Sequence, residues 1–179
     1  MPSLDSILEN LAGAQTGLLR AADAIPAERW AESPAAGRWS AGELVSHLIT
    51  VERAIIGAAD KVLQKPPRKV PFFKRFHVPM AMVEMRVIRR KTPIPLEAHL
   101  MREKEAMLAE LREVRGRTLA FLEETKGRDL SVYRYPHAFL GMLNLYEWFQ
   151  MIASHEMRHT KQMKEIGTSL PKAVVNLQK

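Results

Sequence analysis

The chain has 179 residues, a formal net charge of +7 and no cysteine. Its apolar share of 46% is that of a folded chain with a core, which excludes wholesale disorder, and its length fits one domain. The lack of cysteine excludes disulfides, thiolate metal ligands and a cysteine nucleophile. No apolar run is long enough to span a bilayer, and Met1 to Asn10 has no basic stretch followed by an apolar one. The expectation is therefore a cytoplasmic protein with no membrane association.

Leu4, Leu8, Leu11, Leu18 and Leu19, with Ile7 and Ala22 beside them, recur near helical spacing and predict a helix from Leu4 to Ile25. Pro26 closes it, and Ala27 to Arg38 reads as a loop punctuated by Pro34 and Gly37. Ser40 and Glu43 then form a capping box, S-x-x-E, with Trp39 and Leu44 as a hydrophobic staple. The second helix carries Leu44, His47, Leu48, Val51, Ile55 and Ala58 on one stripe and stops before Pro66-Pro67. His47 lies inside that apolar stripe. It reads either as a hydrogen-bonded core histidine or as a metal ligand.

Residues 66–95 read as a long connection divided by six prolines, with a short helix expected from Met80 to Arg90. Lys65 to Lys91 holds nine basic residues against Glu84 alone, a local charge of +8, so the rest of the chain sums to −1. Phe72, Phe73 and Phe76 interleave with this charge. No nucleic-acid reader motif accompanies them, so nucleic acid is not expected as a partner and an anionic small-molecule substrate is. A third helix is predicted from Leu96 to Lys126, ended by Gly127, and Arg128 to Leu143 reads as a connection without strands. Asn144 and Glu147 repeat the capping-box pattern, and Leu143 and Trp148 the staple. Trp148, Met151, Ile152, His155, His159, Gln162, Met163 and Ile166 follow at helical spacing, with Gly167 and Pro171 as expected terminators. Residues 1–170 thus form one all-α domain, a four-helix bundle with a long crossover between helices 2 and 3, and residues 171–179 form a tail.

The chemistry concentrates in His155-Glu156-Met157-Arg158-His159, an H-E-x-x-H pattern. Residues four apart share one face of a helix, so both imidazoles can reach one metal ion. Two ligands are too few for a stable site. Zincin proteases take a third from downstream, but here Glu165 stands about 240° around the helix from His159 at roughly 100° per residue. His47, inward on another helix, is the better third ligand. Three neutral imidazoles suit a divalent zinc, nickel, copper or iron and leave positions open for water or substrate. Glu156 is the candidate catalytic residue, a flanking carboxylate to orient water or accept a proton. Glu43 and Gln162 are candidates to support the ligands from behind.

Trp39-Ser40-x-x-Glu43-x-x-x-His47-Leu48, followed by Glu147-Trp148 and His155-Glu156-x-Arg158-His159-x-x-Gln162, resembles the DinB/YfiT-like superfamily of metal-dependent enzymes. The resemblance covers residues 3–168. It implies a four-helix bundle with a long crossover, often a homodimer, and a divalent metal (zinc, nickel or iron) held by His47, His155 and His159. It further implies an enzyme that transfers or uses a low-molecular-weight thiol as cosubstrate. The alternatives are a metal-dependent hydrolase and a non-enzymatic, metal-stabilised, stress-linked binding module.

Overall fold

The computed structural model describes residues 3–67 and 103–170. Four helices run over Leu4–Asp23 (α1), Ala41–Leu63 (α2), Lys104–Glu124 (α3) and Leu145–Ser169 (α4). Between α3 and α4, Arg134–His137 (β1) pairs antiparallel with Gly141–Asn144 (β2). Within the described residues α1 packs on α4, and α2 packs on both α3 and α4. The mainly helical expectation holds.

Local chemistry sets the helix starts. Ser40 Oγ accepts the Glu43 N–H at 3.2 Å, and Glu43 Oε2 accepts the Ser40 N–H at 2.7 Å. Asn144 and Glu147 make the same exchange at 3.0 and 2.7 Å. Each box satisfies two backbone donors that the first turn leaves without an intrahelical acceptor. Ser3 caps α1 with a single bond to the Ser6 N–H. At the other end of α3, Gly127 turns the chain out at φ +90°, a conformation that a side chain would strain.

The structure corrects three expectations. The segment from Arg128 to Leu143 contains a 3-10 turn at Leu130–Val132 and the β1–β2 hairpin, with His137 opposite Gly141. His137 holds the tip: its Nδ1 accepts the N–H groups of Phe139 and Leu140 at 3.1 and 3.2 Å. Gly167 does not end α4, which continues to Ser169. The buried stripe of α1 is centred on Ile7, Leu11, Ala14 and Leu18, with Leu4 and Leu8 at its margin. The predicted helix from Met80 to Arg90, residues 68–95 of the basic connection, residues 96–102 of the third predicted helix and the 171–179 tail lie outside the described residues.

Two apolar clusters make the core. One gathers Leu18, Ile25, Leu44, Leu48, Leu111 and Met163. The other gathers Ile7, Leu11, Ile55, Leu122, Phe149 and Ile152. Between them runs a polar layer. Arg115 of α3 bonds Glu52 of α2 through Nε and Nη2 at 2.8 and 3.1 Å. It bonds Glu156 of α4 through Nη2 at 2.8 Å and the Leu11 carbonyl of α1 through Nη1 at 2.5 Å. Thr118 donates to Glu52 as well. One guanidinium therefore ties all four helices. All three charged groups are buried, with Arg115 2%, Glu52 3% and Glu156 1% exposed. Charges so deep persist only when paired and hydrogen-bonded.

Candidate metal centre

The capping box at Ser40 starts α2 so that His47, seven residues on, faces the interior beside Leu48. The box at Asn144 does the same for α4, placing His155 and His159 one turn apart on the face that meets α2. Their ring nitrogens converge. His47 Nε2 lies 3.3 Å from His155 Nε2, and His159 Nε2 lies 3.1 Å from the same atom. Three nitrogens bound tetrahedrally at zinc–nitrogen distances of roughly 2.0–2.1 Å would stand about 3.3 Å apart. Those two distances match the spacing a divalent metal requires, and each residue offers one ligand atom, all within 4.8 Å of one another.

The surroundings favour the neutral form of His47 and His155, the form that binds metal. Burial pushes His47 down to about 4 from its ordinary 6.5. Burial also holds His155 well below its ordinary value, reinforced by the charges of His159, His47, Arg158 and His137. His159 directs Nδ1 at Gln162 Oε1, 3.1 Å away, so a proton on Nδ1 leaves Nε2 as the ligand atom. The Trp39 ring packs over the pair, 5.0 Å from the His47 ring and 5.9 Å from His159, nearly parallel to the latter. The aromatic wall fixes ring orientation and shields one side.

The structure brings together His47, His155 and His159, and places Gln162 within hydrogen-bond distance of His159. Glu43 is committed to its cap. Glu156 differs from expectation. Its flank of the helix faces α3, where Oε2 bonds Arg115, and not an open rim. Burial raises its carboxyl to about 7, against the lowering pull of Arg115, with the Glu52 charge adding to the rise. Its Oε1 has no hydrogen-bond partner among the described residues. Glu156 and His155 instead share a small cavity of about 10 Å³, walled also by Leu48, Val51, Glu52 and Ile152. Sequence reasoning missed Glu52 and Arg115. Each sits four residues after a buried leucine, Leu48 and Leu111, so a charge interrupting an apolar stripe was the available signal.

These features define a mainly helical protein with a three-histidine site, His47 and His159 buried and His155 half-buried, that could hold a divalent metal without a sulfur ligand. The chain belongs to the DinB superfamily, whose family model matches residues 10–163. It is 30% identical over 147 residues to the uncharacterized protein YuaE of Bacillus subtilis (strain 168), spanning 82% of this chain and 88% of that protein. No solved structure gives a significant match. Among the described residues no helix is long and apolar enough to cross a membrane.

Proposed function

We propose that the protein is a metal-dependent enzyme that transfers or uses a small thiol, with His47, His155 and His159 holding the metal. The convergence of three Nε2 atoms carries this reading, because three protein ligands leave a metal further positions for a small molecule. A divalent metal bound there would supply Lewis acidity, lowering the pKa of a thiol or water that approaches it. The chain's own part is to hold and orient. Gln162 fixes the His159 tautomer, and Trp39 keeps the rings of His47 and His159 in register. With no cysteine in the chain, any sulfur nucleophile has to arrive as a cosubstrate. The 1% exposure of Glu156 and its bond to Arg115 argue against direct proton transfer to a substrate, so the proposal gives it none.

The basic residues of Lys65 to Lys91 support an anionic thiol or acceptor. The architecture proposed is the superfamily's bundle with residues 66–95 as the crossover, in one domain over residues 1–170 that pairs as a homodimer. The test incubates zinc-, nickel- or iron-loaded protein with a panel of electrophiles, with and without bacillithiol, mycothiol or glutathione. Thiol-dependent turnover that disappears in His155→Ala is expected, and its rate should fall with added salt if the basic segment attracts the substrate. Thiol-independent ester or amide cleavage, lost in the same variant, would replace the transferase with a hydrolase. Metal binding without turnover on any substrate would favour the binding module.

A further inference from the structure

His155 is held differently from its partner His159. A neutral imidazole that ligates through Nε2 carries its proton on Nδ1, and that N–H needs an acceptor when it is buried. His159 has one in Gln162. His155 turns Nε2 to the other two histidines, and its Nδ1 has no direct acceptor among the described residues. His155, however, is among the residues lining the cavity of about 10 Å³ that Glu156 and Glu52 also line. That volume is about one water-sized sphere. Both Glu52 oxygens already accept bonds from Arg115. Glu156 Oε2 does too. Glu156 Oε1 is the one carboxylate oxygen in that wall with no donor among the described residues.

We propose that one ordered water occupies this cavity, accepts the Nδ1–H of His155 and donates to Glu156 Oε1, so that Glu156 is a positioning residue for the ligand His155. The inference rests on the metal reading above and deepens it. The water has two polar partners, His155 and Glu156, within the range a buried water needs. Arg115 takes Glu156 Oε2 and so orients Oε1 for its task. The acidic residue of the H-E-x-x-H pattern would then act through the histidine beside it, as a carboxylate behind a ligand that fixes its tautomer and raises its basicity.

The test uses full-length protein and zinc alone. A crystal structure of the zinc-loaded protein is expected to place a water within hydrogen-bond distance of both His155 Nδ1 and Glu156 Oε1. In Glu156→Gln the new carbonyl oxygen faces Arg115 and the amide N–H₂ faces the cavity, so the water loses its acceptor. Zinc affinity from chelator competition should fall about 10–100-fold. The His155 Nδ1–H resonance should lose its protection from exchange while that of His159, held by Gln162, stays. Glu52→Gln removes the same formal charge but leaves Glu156 Oε1 in place, and His155 Nδ1–H should remain protected. A dry cavity, a direct bond from His155 Nδ1 to another group, or wild-type zinc affinity and protection in Glu156→Gln would each overturn the proposal. Wild-type protein that binds no zinc would instead remove the metal reading itself, and this inference with it.

Discussion

Arg115→Met is the most informative single change for the fold. Methionine replaces much of the aliphatic length of arginine but none of its bonds, which here run to Glu52, Glu156 and the Leu11 carbonyl. Removing one partner of a buried ion pair destabilises by about 3–5 kcal/mol, because a charge is left without compensation. Against a typical total of about 5–15 kcal/mol that is a large share. The carboxylates have an escape, which is to take up protons. Burial already raises Glu156 to about 7 with the guanidinium beside it, and the guanidinium pulls the other way, so its loss lifts Glu156 further. A carboxyl whose folded pKa is raised contributes stability that is fully present below its unfolded value and lost as pH rises through the folded one. The variant should therefore lie closest to wild type near pH 5 and furthest from it near pH 8. Urea denaturation of metal-free wild type and variant at both values reads this directly. A loss below about 1 kcal/mol, or one equal at the two pH values, would show that packing rather than charge compensation dominates.

Other outcomes follow from the centre itself. His47→Ala, His155→Ala and His159→Ala are each expected to lose bound metal by elemental analysis, and full occupancy in any one would remove that residue from the ligand set. In metal-free protein, His47 stays neutral down to about 4, so its contribution to stability is complete above roughly 6.5 and fades as pH falls to 4. That amounts to about 3 kcal/mol at roughly 1.4 kcal/mol per pH unit, and His47→Leu should flatten the wild-type acid slope in urea melts by this order. Trp39 lies close enough to His47 and His159 for nickel or copper to quench its fluorescence, and Trp39→Phe should abolish most of the quench. Zinc uptake should release protons, because a dication favours the ionised form of the Glu156 carboxyl; calorimetry in buffers of different ionisation enthalpy counts them, and a count of zero would contradict the coupling.

What could be read from the sequence was what is local. The two capping boxes need only residues three apart, and both form as read. His155, His159 and Gln162 need only one helix face, and they share it. His47 required one further step, a polar residue on an apolar stripe, and its convergence with α4 came from the family resemblance. The hairpin was hidden because β1 and β2 have four residues each, and Pro136 and Gly141 within them signal turns. Arg115 was hidden for another reason. It lies among Arg112, Glu113 and Arg117, a run of charge that reads as a solvated face, and only the approach of α2 and α4 makes one of those charges interior. Lys104 shows the same effect: a residue type usually found at the surface, it is buried and donates Nζ to the Ile25 carbonyl at 2.9 Å.

The polar layer and the histidines belong to one electrostatic arrangement. One guanidinium faces two carboxylates, so with both ionised the layer carries −1 inside a low-dielectric core. Such a layer is poorly matched to itself. Burial is the main cause of the upward shift of Glu156, the Glu52 charge adds to it, and Arg115 offsets the two only in part. A proton is one remedy and a divalent cation among the imidazoles is the other, and the two compete. Histidine ligands alone would make a site whose affinity depends on imidazole basicity. Under the proposed reading, a half-compensated carboxylate behind them would add attraction for a cation without adding a fourth ligand, and open positions on the metal would be kept. Arg115 sets the balance. With no guanidinium the carboxylates would hold protons in preference to supporting a metal, and with a second one the layer would lose its pull. A single arginine shared by Glu52 and Glu156 secures the four helices and leaves the centre short of positive charge.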